Sequence, residues 1–177
     1  MIRRRRTARD ARARWVFGRT APLARLLNSQ SAMSAITPRA DRVASLIELA
    51  RGRRYLDIGC GTSAFAHLLA ARAGLEEPPV TMDLLDTPGP VDVVAWPEKL
   101  PFRDASFDAI TSLYYIRRFE DDVVYAYARE LRRILAPGGA ALILEVAPVR
   151  SARLNAFHTR LLSGGCAEVD LRGWGRL

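Results

Sequence analysis

The chain has 177 residues, a formal net charge of +8 and 49% apolar residues. That length suits one domain with a single sizeable core, and the composition excludes a disordered chain. No apolar run nears the roughly 18 residues needed to cross a bilayer, and Cys60 and Cys166 make neither a disulfide framework nor a metal cluster, so a reduced, cytoplasmic setting without bound metal is expected.

Charge divides the chain. Residues 1–54 carry 14 Arg and 3 acids, whereas residues 55–177 carry 13 Lys+Arg and 16 acids. Residues 1–36 therefore read as a basic N-terminal segment, a tail or lid, ahead of a domain over 37–177. Its opening "MIRRRR" has the charge to bind nucleic acid or an anionic membrane surface. With only Trp15 and Phe17 interleaved, a solvated tail is the preferred reading, and nucleic acid is a possible but not favoured partner. A short helix is plausible at 21–28.

"TPRADRVASLIELARG" predicts a helix over 37–51, with Thr37 as cap, Pro38 in the first turn and Gly52 beyond the end. Val43, Leu46, Ile47 and Ala50 form its apolar stripe. "RYLDI" reads as a strand, then a glycine loop, then a helix over 63–73 closed by Gly74. "PVTMD", "VDVVAW" and "FDAITSLYY" read as three more strands. A helix over 120–135 has Val123, Tyr127, Leu131 and Ile134 on one face. "AALILEV" is a fifth strand, followed by a helix over 151–162 and a last strand near 167–172. Strands that are almost continuously apolar and alternate with helices predict a Rossmann-like, doubly wound α/β fold with a mostly parallel sheet.

In such a sheet, ligands bind beyond the carboxyl ends of the strands. The loop "LDIGCGTS" matches the dinucleotide pattern only formally, through Gly59, Gly61 and Ala64. Asp57, two residues ahead of Gly59, repels a pyrophosphate but attracts an ammonium or sulfonium. S-adenosylmethionine carries both and has no phosphate. Asp83, closing the second strand, can accept from both ribose hydroxyls of either cofactor.

The stretches "YLDIGCGTS", "VTMD", "KLPFRDASFDAITS" and "ELRRILAPGGAALIL" stand in this order, and with them the chain resembles the class I S-adenosylmethionine-dependent methyltransferases of the methyltransferase-domain type over roughly residues 40–172. The resemblance implies a cofactor site built from Asp57, Gly59, Cys60, Gly61, Asp83, Leu84, Trp96, Pro97, Ser112 and Leu113. Asp57, Gly59 and Gly61 would line the methionine and ribose side, Asp83 would hold the ribose, and Ser112 and Leu113 would border the methyl. Tyr114, Tyr115 and Arg118 could face the acceptor. Asp108 and Pro137–Gly139 read as structural, Cys60 as a small loop residue, and no catalytic base stands out. His67 reads as structural and His158 as a surface residue.

The match has gaps. Where the family usually has an adenine-binding acid, followed by a backbone donor, this chain has Trp96 and Pro97, which can neither accept nor donate there. Trp96 could stack on adenine with Glu98 as acceptor, or simply pack in the core. Ser63 replaces the loop's third glycine. The family's C-terminal hairpin reads as shortened, which leaves open that the chain is a fragment. The resulting expectation is direct methyl displacement onto a small-molecule acceptor. The alternatives are a non-catalytic cofactor-binding or partner protein of the same fold, and an RNA methyltransferase that uses the basic N-terminus.

Overall fold

The computed structural model describes residues 40–41, 43–45, 47–84, 91–116 and 119–144. The expectations for the arginine-rich segment, the helices at 21–28 and 151–162, the last strand near 167–172, Arg118 and His158 lie outside these residues.

Five strands form one sheet in the order β3-β2-β1-β4-β5, and every described pairing is parallel. They are β1 (Tyr55–Ile58), β2 (Val80–Asp83), β3 (Val93–Val94), β4 (Phe107–Leu113) and β5 (Leu135–Leu144). Helix α1 (Ala64–Ala73) links β1 to β2, and α2 (Asp121–Ile134) links β4 to β5. The strand order reverses beside β1, between β2 and β4, and that is where a ligand crevice opens in this topology.

Side chains alternate across the sheet, so each strand feeds two cores. Leu56, Ile58, Met82 and Ile110 pack with Val123, Tyr127, Leu131 and Ile134 of α2. Tyr55 and Ala109 pack on the other face with Phe65, Ala66 and Leu69 of α1, together with Ala40, Val43 and Ile47. The predicted stripe of α2 is thus its buried face. Each of those aliphatic side chains contributes about 1.5–3 kcal/mol by burial, more than helix propensity supplies.

The first predicted helix ends earlier than expected. Its described helical residues are 40–41 and 43–45. Leu49 N–H then donates to the Ala44 carbonyl (2.7 Å) and Glu48 N–H to that of Ser45 (3.3 Å), with Glu48 at φ 49°. This is the six-to-one and five-to-two pattern that closes a helix through a left-handed residue. Glutamate takes the position that Gly52 was expected to mark. Leu49 is buried in place of Ala50, which is exposed. Gly74 closes α1 in the same way, as predicted, through Leu75 N–H to Ala70.

β3 is also shorter than "VDVVAW". Asp92 turns back on Thr81, its Oδ2 accepting from that residue's N–H and hydroxyl at 2.8 and 2.7 Å. At the other end, Lys99 N–H donates to the Trp96 carbonyl and starts a turn. β5 starts earlier than predicted and absorbs "APGG". Its pairing with β4 shifts between Phe107 and Ala109. At Gly139 a Cβ would lie 2.9 Å from the carbonyl oxygens of Ala136 and Asp108. The Pro-Gly-Gly stretch therefore shapes the strand entry.

Two charged clusters tie the family-like motifs together. Arg54 makes a forked contact with Asp108, Nε to Oδ2 at 2.9 Å and Nη2 to Oδ1 at 3.1 Å, which holds Asp108 near pKa 2. Arg133 of α2 donates to Glu130, to Asp104 and to the carbonyls of Leu100 and Phe102 at 2.7–2.9 Å. Glu130 in turn accepts from Leu100 N–H at 2.7 Å. "ELRR" thus clamps the "LPF" turn.

Candidate functional site

β1 ends at Ile58 and the chain turns over the carboxyl edge through residues 59–63. The N–H groups of Gly59 and Cys60 both donate to the Met82 carbonyl, at 2.8 and 3.3 Å. Gly59, Gly61 and Ser63 all have left-handed backbones, with φ of 77°, 58° and 63°. Ser63 keeps the conformation that a third glycine would favour, at a steric cost of roughly 1–2 kcal/mol.

Asp83, the last residue of β2, is 1% exposed. Its Oδ2 accepts from Gly61 N–H at 3.0 Å and its Oδ1 from Leu84 N–H at 2.7 Å. These bonds fix the carboxylate against the loop. Asp57 lies one strand over and is 3% exposed. Its Oδ1 accepts from the Thr111 hydroxyl at 2.5 Å. Burial pushes its pKa up to about 7, with the Thr111 bond opposing and the Asp83 charge adding to the rise.

Among the buried side-chain oxygens that make no hydrogen bond to the described residues, two stand beyond strand ends on the carboxyl side: Ser112 Oγ, at the end of β4, and Glu98 Oε2, after β3. A buried acceptor or donor left unmatched costs about 1–3 kcal/mol, so each is a candidate to meet a polar ligand group. Trp96 is half-buried on the α2-side core and meets Phe119 edge-on, with centroids 6.4 Å apart at 63°. Pro97 and Leu84 are buried, and Leu113 is half-buried.

One residue stands differently from its expected role. Tyr115 is fully buried, in edge contact with Phe119 and Tyr127, rather than facing an acceptor. It fills the space that Gly59 leaves, since a Cβ there would lie 2.4 Å from Tyr115 Cδ2. That glycine therefore admits a core side chain behind the loop. Cys60 is buried and its thiol is pushed up to about 12, first by burial and then by the charges of Asp57 and Asp83, so it is no nucleophile. Tyr114 is half-buried with φ 56°, a strained backbone of the kind that collects at binding sites. Sequence reasoning missed Thr111 and Tyr55 altogether. Their polar side chains on the Asp57 face of the sheet were the available signal.

The chemistry of this edge fits the cofactor that the resemblance implies. Two buried acids at the loop would repel phosphates, yet suit a cationic tail and ribose hydroxyls. The unmatched oxygens of Ser112 and Glu98 suit further polar groups of a nucleoside. A parallel, doubly wound sheet with an acid at or beside the ends of two neighbouring strands suits a nucleoside cofactor that carries no phosphate.

Known proteins narrow this further. The model of the family described as "Methyltransferase domain" matches residues 56–143. The 2-phytyl-1,4-naphtoquinone methyltransferase of Thermosynechococcus vestitus is 29% identical over 155 residues, covering 81% of this chain and 68% of that protein. The demethylmenaquinone methyltransferase of Thermotoga maritima is 32% identical over 148 residues, covering 79% and 64%. Among solved structures, the PH0226 protein from Pyrococcus horikoshii matches with a TM-score of 0.57 at 24% identity, over 78% of this chain and 64% of that one. A SAM-dependent methyltransferase from Aquifex aeolicus matches with a TM-score of 0.57 at 15% identity, over 81% and 87%. Those two structures speak for the fold. The chain belongs to the class I S-adenosylmethionine-dependent methyltransferase family.

Proposed function

We propose that this family member binds S-adenosylmethionine at the carboxyl edge of β1, β2 and β4 and methylates a small, largely apolar ring acceptor of the quinone class. The observation behind the cofactor site is the pair of buried carboxylates, Asp57 and Asp83, held on either side of the glycine loop by Thr111 and by two backbone N–H groups. The acceptor class rests on the printed activities of the relatives, a 2-phytyl-1,4-naphtoquinone methyltransferase and demethylmenaquinone methyltransferases.

Asp83 would hold the ribose hydroxyls, and Asp57 would face the cationic methionine end. Gly59, Cys60 and Gly61 would form the floor, with Leu84 at the ribose edge. Ser112 and Leu113 would border the methionine moiety, with the Ser112 hydroxyl gaining its missing partner. Trp96 and Pro97 would flank adenine by contact, while Glu98 would supply the acceptor that Trp96 lacks. When bound, the cofactor supplies an electrophilic methyl on a sulfonium. The residues align the acceptor with it and exclude water, which is the main task in a displacement with a good leaving group. Tyr114, directly after β4, would meet the acceptor ring.

Calorimetry with S-adenosylhomocysteine and with NAD tests the cofactor, and transfer of labelled methyl to a 2-substituted 1,4-naphthoquinol tests the acceptor. Binding of the first ligand and not the second, with label in the quinol, is the expected result. Binding without transfer to any ring acceptor would favour a non-catalytic role, and tight NAD binding would end the reading.

A further inference from the structure

Tyr55 and Asp57 are two residues apart on β1 and so share a face of the sheet. Thr111, paired with Asp57 across β1 and β4, completes a buried relay. The Tyr55 hydroxyl lies 2.5 Å from Thr111 Oγ1, which lies 2.5 Å from Asp57 Oδ1. Tyr55 is 2% and Thr111 0% exposed.

A threonine hydroxyl has one hydrogen. In the relay it is given to Asp57, so Thr111 Oγ1 can only accept from the tyrosine. Burial, and after it the Asp57 charge, raises the pKa of Tyr55 well above its usual value. Tyr55 thus stays protonated and remains a donor at the far end. With the one Thr111 hydrogen given to Asp57, the Tyr55 hydroxyl is left to donate to Thr111 Oγ1, and the three groups form a chain directed at the carboxylate.

We propose that Tyr55 is a positioning residue: acting through Thr111, it orients the relay toward Asp57 and favours the charged form of that carboxylate at the loop, ready for the cationic end of the cofactor. Without the tyrosine hydroxyl, Thr111 is free to turn and accept a proton from Asp57. The groups facing Asp57 otherwise push the same way. Asp83 on β2 adds like charge, and the Cys60 thiol in the loop stays neutral. The ionisable residues His67 and Arg72 of α1 and Asp41 of the preceding helical segment are exposed, away from this buried cluster. The described surroundings of Asp57 therefore hold no buried cation, and the relay is its main source of support.

The functional consequence rests on the proposed cofactor site, but the relay can be tested without it. Carbon-13 carboxyl NMR of the full chain, with the Asp57 resonance assigned through Asp57→Asn, follows protonation directly. In Tyr55→Phe and Thr111→Val the Asp57 titration should move up by about half a pH unit or more, as expected on losing a hydrogen bond to the charged form. Thr111→Ser, which keeps the hydroxyl, should titrate like the wild type. Thermal unfolding verifies that each variant is folded, and Tyr55→Phe is the mildest of them. Coincident titrations in folded wild type and Tyr55→Phe would overturn the proposal. The second reading is the pH dependence of S-adenosylhomocysteine affinity, which should fall off at lower pH in the wild type than in Tyr55→Phe. Failure of the wild type to bind at any pH counts against the proposed function, while the NMR titration still decides the relay.

Discussion

At the scale of single residues, the loop is governed by what lies behind it as much as by what it faces. Gly59 combines a left-handed backbone with a Tyr115 ring in the space of its missing Cβ. Gly59→Ala should therefore destabilise the protein by about 2–4 kcal/mol, adding overpacking to a backbone penalty. Gly59→Ala combined with Tyr115→Leu should recover part of that loss in urea unfolding; equal losses in the single and double variants would show that the ring is not the cause. Cys60 offers a second test. Its thiol is buried and raised to about 12, so iodoacetamide at pH 8 should alkylate it at least about tenfold more slowly in native than in unfolded protein, by peptide mass mapping. Rapid labelling of the native chain would reopen a reactive role. The sequence showed the loop but not which neighbour uses each residue. Tyr114 and Tyr115 are adjacent aromatics, and only the left-handed turn at Tyr114 decides that Tyr115 enters the core. No residue-by-residue pattern announces a tyrosine at positive φ.

At the scale of elements, the described part of the fold was legible wherever hydrophobic period and glycine punctuation agreed. The stripe of α2 and the Gly74 stop of α1 are examples. Legibility failed where a residue without the usual signature took a special backbone role, as Glu48 does in closing the first helix. It also failed where partners lie far apart in sequence. Arg133 and Leu100 are 33 positions apart, and no local pattern foretold that one guanidinium would bind two carbonyls and two carboxylates. This contact, together with the Glu130 bond from Leu100 N–H, explains physically why "LPF" and "ELRR" occur together. Arg133→Ala strands two carbonyls and should cost about 1–3 kcal/mol. Arg133→Lys should recover little, because an ammonium cannot span a planar fork of acceptors. Hydrogen exchange should accelerate over residues 99–106 and leave α1 unchanged. Unaltered exchange in that turn would show that the clamp is dispensable.

At the scale of the whole molecule, two sheet faces are filled by helices, while the carboxyl edge holds acids that the core would not choose. Their pairing depends on register between β1 and β4, more than fifty residues apart, which is why Asp57 was foreseen as a site residue but Thr111 and Tyr55 were not. The placement has a stability consequence of definite sign. Asp57 has a folded pKa of about 7, against an ordinary value of 3.8. Between those values the folded state holds a proton that the unfolded state has released. By linkage, stability therefore falls as pH rises through this window and levels off above about 7. Asp108 acts in the opposite sense, its pKa lowered to about 2 chiefly by its hydrogen bond from Arg54. Its contribution is already complete above about pH 4, so the two windows are separable. Asp57→Asn removes the titrating group while retaining an acceptor for Thr111. The variant's stability relative to wild type should then rise from pH 5 to pH 8 by about 1–3 kcal/mol, in keeping with the trade between site chemistry and stability. Cofactor affinity should fall in the same variant. Urea unfolding at four pH values between 5 and 8 measures the first effect and calorimetry the second. A constant difference between variant and wild type across that range would mean that Asp57 is not the group whose burial the fold opposes.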